Sequence, residues 1–122
     1  MKKKILIVED SPTIAELVSY RLTHAGYEVI SALDGEIGLR KMREDNPDLV
    51  LLDVRMPGID GFQVCRMAKN DPAIKSIPII FLTALDQQSD LAKAEEAGVD
   101  GYLTKLYEGN ELVEKIGSFL KQ

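Results

Sequence analysis

The stretch LVLLDVRMPGIDG, residues 49–61, decides the fold expected for this chain of 122 residues. Its first four residues form a continuous apolar run, which is typical of a strand buried on both faces of a parallel sheet. Asp53 follows the run directly, Pro57-Gly58 supplies a turn, and Asp60 is placed to cap a helix. The stretch therefore predicts a central strand that ends in a carboxylate, then a loop, then a helix.

The same alternation of strand and helix extends along the whole chain. Strands are predicted at residues 4–8, 27–31, 49–52, 78–82 and 101–104, and helical periodicity follows each of them. This order predicts an α/β fold, a single (βα)5 domain over residues 1–122. Its five-stranded parallel sheet would be doubly wound, with helices on both faces.

The apolar faces of the helices are predicted from spacing. Leu17 is assigned to the inner face of the first helix and Met67 to that of the third. The fourth helix begins at the capping residue Asp86, and between residues 87 and 97 Leu91 is its only large apolar residue. Because alanines bury little apolar surface, this helix is expected to be the least stable of the five.

Composition excludes several classes of protein. The chain is 45% hydrophobic and 29% charged, with a net charge of −5, which argues against direct binding to nucleic acid. No apolar run approaches the roughly 18 residues of a membrane span, so no membrane contact is expected. Cys65 is the only cysteine and cannot form an internal disulfide, which fits a cytoplasmic setting.

Five polar residues follow the predicted strands at one edge of the sheet: Glu9, Asp10, Asp53, Thr83 and Lys105. Ligands of open parallel sheets bind beyond the carboxyl ends of the strands. Three neighbouring carboxylates repel one another, and a divalent cation such as Mg2+ would relieve that repulsion. An aspartate can also attack phosphorus and form an acyl phosphate. The set therefore indicates metal-dependent phosphoryl chemistry.

Each of these residues also has an ordinary structural interpretation. Asp10 alone could be a helix cap, Thr83 a β-former, and Lys105 a solvated surface lysine. It is their common location at the ends of adjacent strands that favours a site.

Four segments of the chain resemble the receiver domain of two-component response regulators, and the resemblance covers the whole length. They are IVED at 7–10, LLDVRMPGIDG at 51–61, LTA at 82–84 and GYLTK at 101–105. The resemblance implies a flavodoxin-like fold with strand order 2-1-3-4-5. It also implies that Asp53 is the phosphoacceptor, and that Mg2+ is held by Glu9, Asp10, Asp53 and the backbone carbonyl of Arg55.

The resemblance assigns further roles around the phosphoryl group. Thr83, Ala84 and Lys105 would bind it, and Thr83 and Tyr102 would act as switch residues. The phosphate would come from a sensor histidine kinase or a phosphotransfer protein. The chain would then be a cytoplasmic phosphoacceptor protein rather than an enzyme, able at most to catalyse its own phosphorylation from small donors and its own dephosphorylation. It would be a monomer, with dimerisation on phosphorylation left open, and its effector is not identified.

One position departs from the family pattern. Receiver domains usually have a proline after the lysine, joined by a cis peptide, whereas here Leu106 follows Lys105. A cis bond before a residue other than proline costs about 2.5–4 kcal/mol. The bond is therefore either trans, with a reshaped loop through Gly109, or cis under strain.

Three alternatives remain beside the switch. A phosphatase with an aspartyl nucleophile would carry a D-x-D pair after the first strand, whereas this chain has Glu9-Asp10 there. A flavin or nucleotide binder would need a phosphate-binding loop at that same position, where two carboxylates repel phosphate. A degenerate receiver that only docks partners would not need Asp53, Thr83 and Lys105.

Overall fold

The computed structural model describes residues 2–83, 88–104 and 111–120, and shows five strands alternating with five helices. The strands are β1 Lys4–Val8, β2 Glu28–Ala32, β3 Leu49–Asp53, β4 Ile79–Thr83 and β5 Gly101–Thr104. The helices are α1 Pro12–His24, α2 Gly35–Asp45, α3 Gly61–Lys69, α4 Gln88–Ala97 and α5 Glu111–Leu120. The predicted elements are present, with bounds shifted by one or two residues.

All strand pairs are parallel, in the order β2-β1-β3-β4-β5. This arrangement confirms the expected α/β, flavodoxin-like fold. β3 lies in the centre of the sheet and all five of its residues are buried, as its apolar run predicts. Val8 of β1 is in register with Leu52 of β3, so the residues that follow both strands lie at the same edge of the sheet.

The core has two layers because alternate residues of each strand point to opposite faces of the sheet. Leu6 and Val8 of β1 pack in the layer that α2, α3 and α4 cover, whereas Ile5 and Ile7 pack in the layer under α1 and α5. Helices therefore cover both faces, which is the doubly wound arrangement expected from the alternation of elements.

Side-chain caps fix the starts of three helices. Ser11 Oγ accepts a hydrogen bond from the amide of Ile14 (3.4 Å), and Pro12 is at the first helical position of α1. Asp34 caps α2, with its Oδ1 2.8 Å from the amide of Ile37. Asp60 and Gln63 form the predicted capping box at the start of α3.

Two side chains assigned to inner helix faces are exposed instead. Leu17 of α1 and Met67 of α3 are both 47% exposed. α1 buries Ala15, Val18 and Leu22, so the inner face is narrower than spacing alone suggested. Leu17 projects more than a quarter turn away from that face, and Met67 is displaced in the same way on α3.

The fourth helix contributes small side chains to the core. Its buried residues among those whose side chains are described are Ala94 and Ala97. Asp86, the expected cap, lies outside the described residues. The low stability expected of this helix stays a prediction. Among the described helices, none has the length and apolar character needed to cross a bilayer.

Candidate functional site: a carboxylate cluster at the sheet edge

Three carboxylates meet where β1 and β3 end. Glu9 and Asp10 follow β1 and Asp53 is the last residue of β3, and each offers an oxygen within 4.8 Å of the others. Glu9 is fully buried, Asp53 is 1% exposed, and Asp10 lies at the solvent-exposed side of the cluster. The parallel pairing of β1 with β3 thus gathers the three carboxylates among the predicted metal ligands.

Backbone amides orient the two buried carboxylates. Glu9 Oε2 accepts a hydrogen bond from the amide of Ser11 (3.2 Å), and the Glu9 amide donates to the carbonyl of Ala32 (3.0 Å). Asp53 Oδ1 accepts a hydrogen bond from the amide of Arg55 (3.3 Å). Each carboxylate is therefore held by the loop that follows its own strand, which limits its rotation.

The loop from β3 to α3 is also held by a hydrogen bond to the first residue of α3. The amide of Gly61, the first residue of α3, donates to the carbonyl of Val54 at 2.8 Å. Val54 and Met56 are buried, whereas Arg55 between them is exposed. The sequence identifies Gly61 only as part of a segment that resembles receiver domains, because a glycine after a capping aspartate does not reveal which backbone it contacts.

The donor set fits a hard divalent cation. Carboxylate oxygens are the ligands preferred by Mg2+ and Ca2+, and Mg2+ commonly takes one or two of them and keeps several waters. Two of the three carboxylates are buried, where the repulsion between negative charges is stronger than in bulk water. A cation bound between them would offset that repulsion, so the residues present are compatible with a metal site.

The remaining predicted site residues are described to different extents. Thr83 ends β4, one position after Leu82, which pairs with Asp53, so its backbone lies at the same edge of the sheet. Ala84 and Lys105 lie outside the described residues, as does the peptide bond between Lys105 and Leu106.

Tyr102 lies in β5 in register with Phe81, at one side of the sheet, and its side chain is 45% exposed. Exposure of this tyrosine agrees with its position on an edge strand.

Comparison with known sequences gives a consistent result. Residues 5–117 match the family model of the response regulator receiver domain. The alkaline phosphatase synthesis transcriptional regulatory protein PhoP of Bacillus subtilis is 38% identical over 122 residues, which are 100% of this chain and 50% of that protein. The response regulator PleD of Caulobacter vibrioides is 40% identical over 121 residues, 99% of this chain and 27% of PleD. The chain thus spans half or less of the length of these relatives.

Solved structures agree with this sequence relationship. A Chloroflexus aurantiacus structure described as a response regulator has a TM-score of 0.94 at 38% identity and covers 100% of both chains. A chemotaxis protein of Vibrio cholerae, CheY4, has a TM-score of 0.92 at 31% identity and covers 98% of this chain and 100% of its own. With the strand order and the acidic cluster at the sheet edge, these matches show that the chain belongs to the response regulator receiver domain family of two-component signalling.

Proposed function

We propose that this protein is a phosphorylation-dependent signalling switch that accepts a phosphoryl group on Asp53 in the presence of Mg2+. The observation that carries the proposal is the meeting of Glu9, Asp10 and Asp53 within 4.8 Å at the carboxyl edge of a parallel sheet. A nucleophilic carboxylate beside two further carboxylates can share a cation with them. Phosphoryl transfer depends mainly on such positioning and on charge neutralisation.

In the proposed reaction, an oxygen of Asp53 attacks the phosphorus of a phosphohistidine. The new O–P bond makes an acyl phosphate on Asp53, and the P–N bond breaks with its electron pair passing to the ring nitrogen. The histidine leaves as a neutral imidazole because its other ring nitrogen already carries a proton. Glu9, Asp10, Asp53 and the backbone carbonyl of Arg55 would hold Mg2+, which supplies positive charge to the phosphoryl oxygens when bound. The amide of Arg55, already bonded to Asp53 Oδ1, would keep the attacking carboxylate oriented.

The phosphorylated state would then alter a binding surface. A phosphoryl group adds roughly −1.5 to −2 of charge and new acceptor oxygens. Thr83, Ala84 and Lys105 would bind it, and the movement of Thr83 would change the rotamer of Tyr102. The exposed position of Tyr102 in the edge strand β5 supports its role as a surface readout.

The partners of this switch follow from the proposed reaction. The donor would be a sensor histidine kinase or a phosphotransfer protein, and the readout would be an effector protein that binds near β5. The protein would act as one receiver domain over residues 1–122, monomeric before phosphorylation. It would be a phosphoacceptor rather than an enzyme that turns over a separate substrate.

The test is incubation with acetyl phosphate and Mg2+, followed by intact-mass measurement. We expect one phosphoryl group per chain in the wild type and none in Asp53→Asn. Asp34→Asn is the matched control, because Asp34 caps α2 outside the carboxylate cluster and should leave uptake unchanged. Incorporation that persists in Asp53→Asn would overturn the assignment of the acceptor, and a wild type that takes up no phosphate would overturn the function.

A further inference from the structure

The first residue of α3 lies unusually close to the backbone that carries Asp53. A Cβ atom added to Gly61 would be 2.4 Å from the carbonyl oxygen of Asp53 and 2.7 Å from Cα of Val54. Among the glycines in the described ranges, Gly61 is the one whose added Cβ would meet backbone first. At Gly35, Gly38 and Gly101 the nearest atoms belong to side chains. Backbone cannot move aside by changing rotamer, so this contact is the least adjustable of the set.

Both partners of this contact are held in place. The capping box of Asp60 and Gln63 fixes the first turn of α3, with the two hydrogen bonds at 2.9 and 3.0 Å. Phe62 and Val64, on the same turn, are buried in the core. On the other side, β3 is the central strand and is paired with both of its neighbours. Neither segment can retreat without loss of core packing.

We propose that Gly61 is a positioning residue for the site, an inference that rests on the function proposed above. The absence of a side chain lets α3 support the Asp53-Val54 peptide, and the hydrogen bond from the Gly61 amide to the Val54 carbonyl fixes the distance between them. A methyl group there would separate the two segments by about 1 Å, because non-bonded heavy atoms pack at roughly 3.5 Å. Asp53 would then move relative to Glu9 and Asp10, which follow the neighbouring strand β1.

The direct experiment replaces Gly61 with alanine in the full chain. The binding of Mg2+ is measured by isothermal titration calorimetry, and phosphoryl uptake from acetyl phosphate is measured by intact mass. A misplacement of about 1 Å can reduce a positioned reaction by up to roughly 100-fold. We expect Gly61→Ala to weaken Mg2+ binding at least about tenfold and to slow uptake in proportion.

Gly101→Ala is the control for a general loss of stability. Its Cβ would lie 2.7 Å from the ring of Phe119, at the opposite edge of the sheet. We expect this variant to be less stable than the wild type and to bind Mg2+ with unchanged affinity. A Gly61→Ala protein that folds and binds Mg2+ as well as Gly101→Ala does would overturn the positioning role.

A second pair of variants decides the question if Gly61→Ala does not fold. Asp60→Ala and Asp34→Ala each remove one charge and one helix cap, from α3 and α2 respectively. We expect Asp60→Ala to weaken Mg2+ binding and Asp34→Ala to leave it near the wild-type value, because α3 begins at the residue whose amide bonds to the carbonyl of Val54, next to Asp53. Equal affinities in the two variants would overturn the inference. Failure of the wild type to bind Mg2+ or take up phosphate would instead overturn the proposed function itself.

Discussion

Aspartates have different roles at the amino edge of the sheet, where the strands begin, and at its carboxyl edge, where the strands end. At the amino edge, Asp48 precedes β3 and clamps the start of β1: its Oδ2 accepts from the amide of Lys4 and its own amide donates to the Lys4 carbonyl, both at 2.7 Å. Asp100 precedes β5 and clamps Ile79 at the start of β4 in the same manner, at 2.8 and 2.9 Å. At this edge, each aspartate therefore makes two hydrogen bonds to one residue of the adjacent strand, one through its carboxylate and one through its amide.

At the carboxyl edge, carboxylates are placed against one another. Glu9, Asp10 and Asp53 lie within 4.8 Å, and two of them are buried. At the amino edge, Asp100 also has an ammonium group beside it, with Lys69 Nζ at 2.9 Å. The comparison shows carboxylates that bind backbone amides of a neighbouring strand at the amino edge and carboxylates gathered into one cluster at the carboxyl edge, where the proposed function places a cation.

The largest expected difference between the edges is the response to Mg2+. At about 100 times its dissociation constant, Mg2+ should raise the free energy of unfolding by about 2.7 kcal/mol. Asp10→Asn should lose most of this gain, and Asp48→Asn should keep it. Urea unfolding of the three proteins with and without Mg2+ measures the difference. A gain of equal size in all three would mean that the ion binds elsewhere.

The second expected effect concerns the clamp at the amino edge. Asp100→Ala leaves the amide of the buried residue Ile79 without its carboxylate acceptor, which should cost about 1–3 kcal/mol. Lys69→Met keeps the clamp but removes the ion pair with Asp100 and the hydrogen bonds from the ammonium to the carbonyls of Lys75 (3.4 Å) and Ile77 (3.1 Å). We expect a smaller cost, because a surface ion pair contributes about 0–1 kcal/mol and no buried amide is left without its acceptor. Chemical denaturation of both variants tests the ranking. If Lys69→Met were the more damaging, the interactions of the ammonium group, and not the clamp on Ile79, would be the main source of stability here.

The third expected effect is that substitutions at the two edges change stability in opposite directions when no divalent ion is present. In the absence of divalent ions, Asp10→Asn should stabilise the protein, since two unit charges about 4 Å apart repel by roughly 1 kcal/mol in water. Asp48→Asn should destabilise it, because the clamp on Lys4 is weakened. Thermal unfolding in EDTA should therefore show a higher midpoint for Asp10→Asn and a lower one for Asp48→Asn. Midpoints lowered in both variants would show that the acidic cluster is not repulsive.

The sequence predicted one edge and missed the other for a physical reason. Glu9, Asp10 and Asp53 stand directly after apolar runs, so strand polarity places them at the same edge of the sheet. The strand order implied by the family resemblance then makes β1 and β3 neighbours. Asp48 and Asp100 stand before strands, and an acidic residue at such a position can equally be an ordinary solvated loop residue. Their role depends on which strand lies alongside, and strand order is not encoded in local pattern.

The close approach of Gly61 to the backbone of Asp53 and Val54 could not be predicted either, because it also depends on tertiary packing. Spacing and caps predict that α3 begins near residue 61, as it does. They do not predict how closely that helix approaches the preceding strand, which is a matter of tertiary packing. Leu17 and Met67 show the same limit, because helical spacing indicates a face and the neighbouring elements decide its width.

The smallest expected effect concerns Asp71, a third aspartate at the amino edge. The amide of Ala73 donates to its Oδ1 (2.9 Å) and Arg43 Nε contacts its Oδ2 (2.9 Å), and these two hydrogen bonds hold the pKa of Asp71 below its ordinary value. A lowered pKa in the folded state stabilises the protein above the ordinary pKa of 3.8, and the stabilisation is lost as pH falls through the folded value.

Asp71→Asn should therefore destabilise the protein near neutral pH, and the difference from wild type should shrink as the solution becomes more acidic than pH 3.8. Arg43→Ala should raise the pKa of Asp71 only in part, because the Ala73 amide, the larger cause, remains. Chemical denaturation of Asp71→Asn and wild type at several pH values measures the stability difference, and NMR titration of the Asp71 carboxyl carbon in wild type and Arg43→Ala measures the pKa. A pKa that returns fully to its ordinary value in Arg43→Ala would mean that the arginine, not the backbone amide, stabilises the charged carboxylate at this edge.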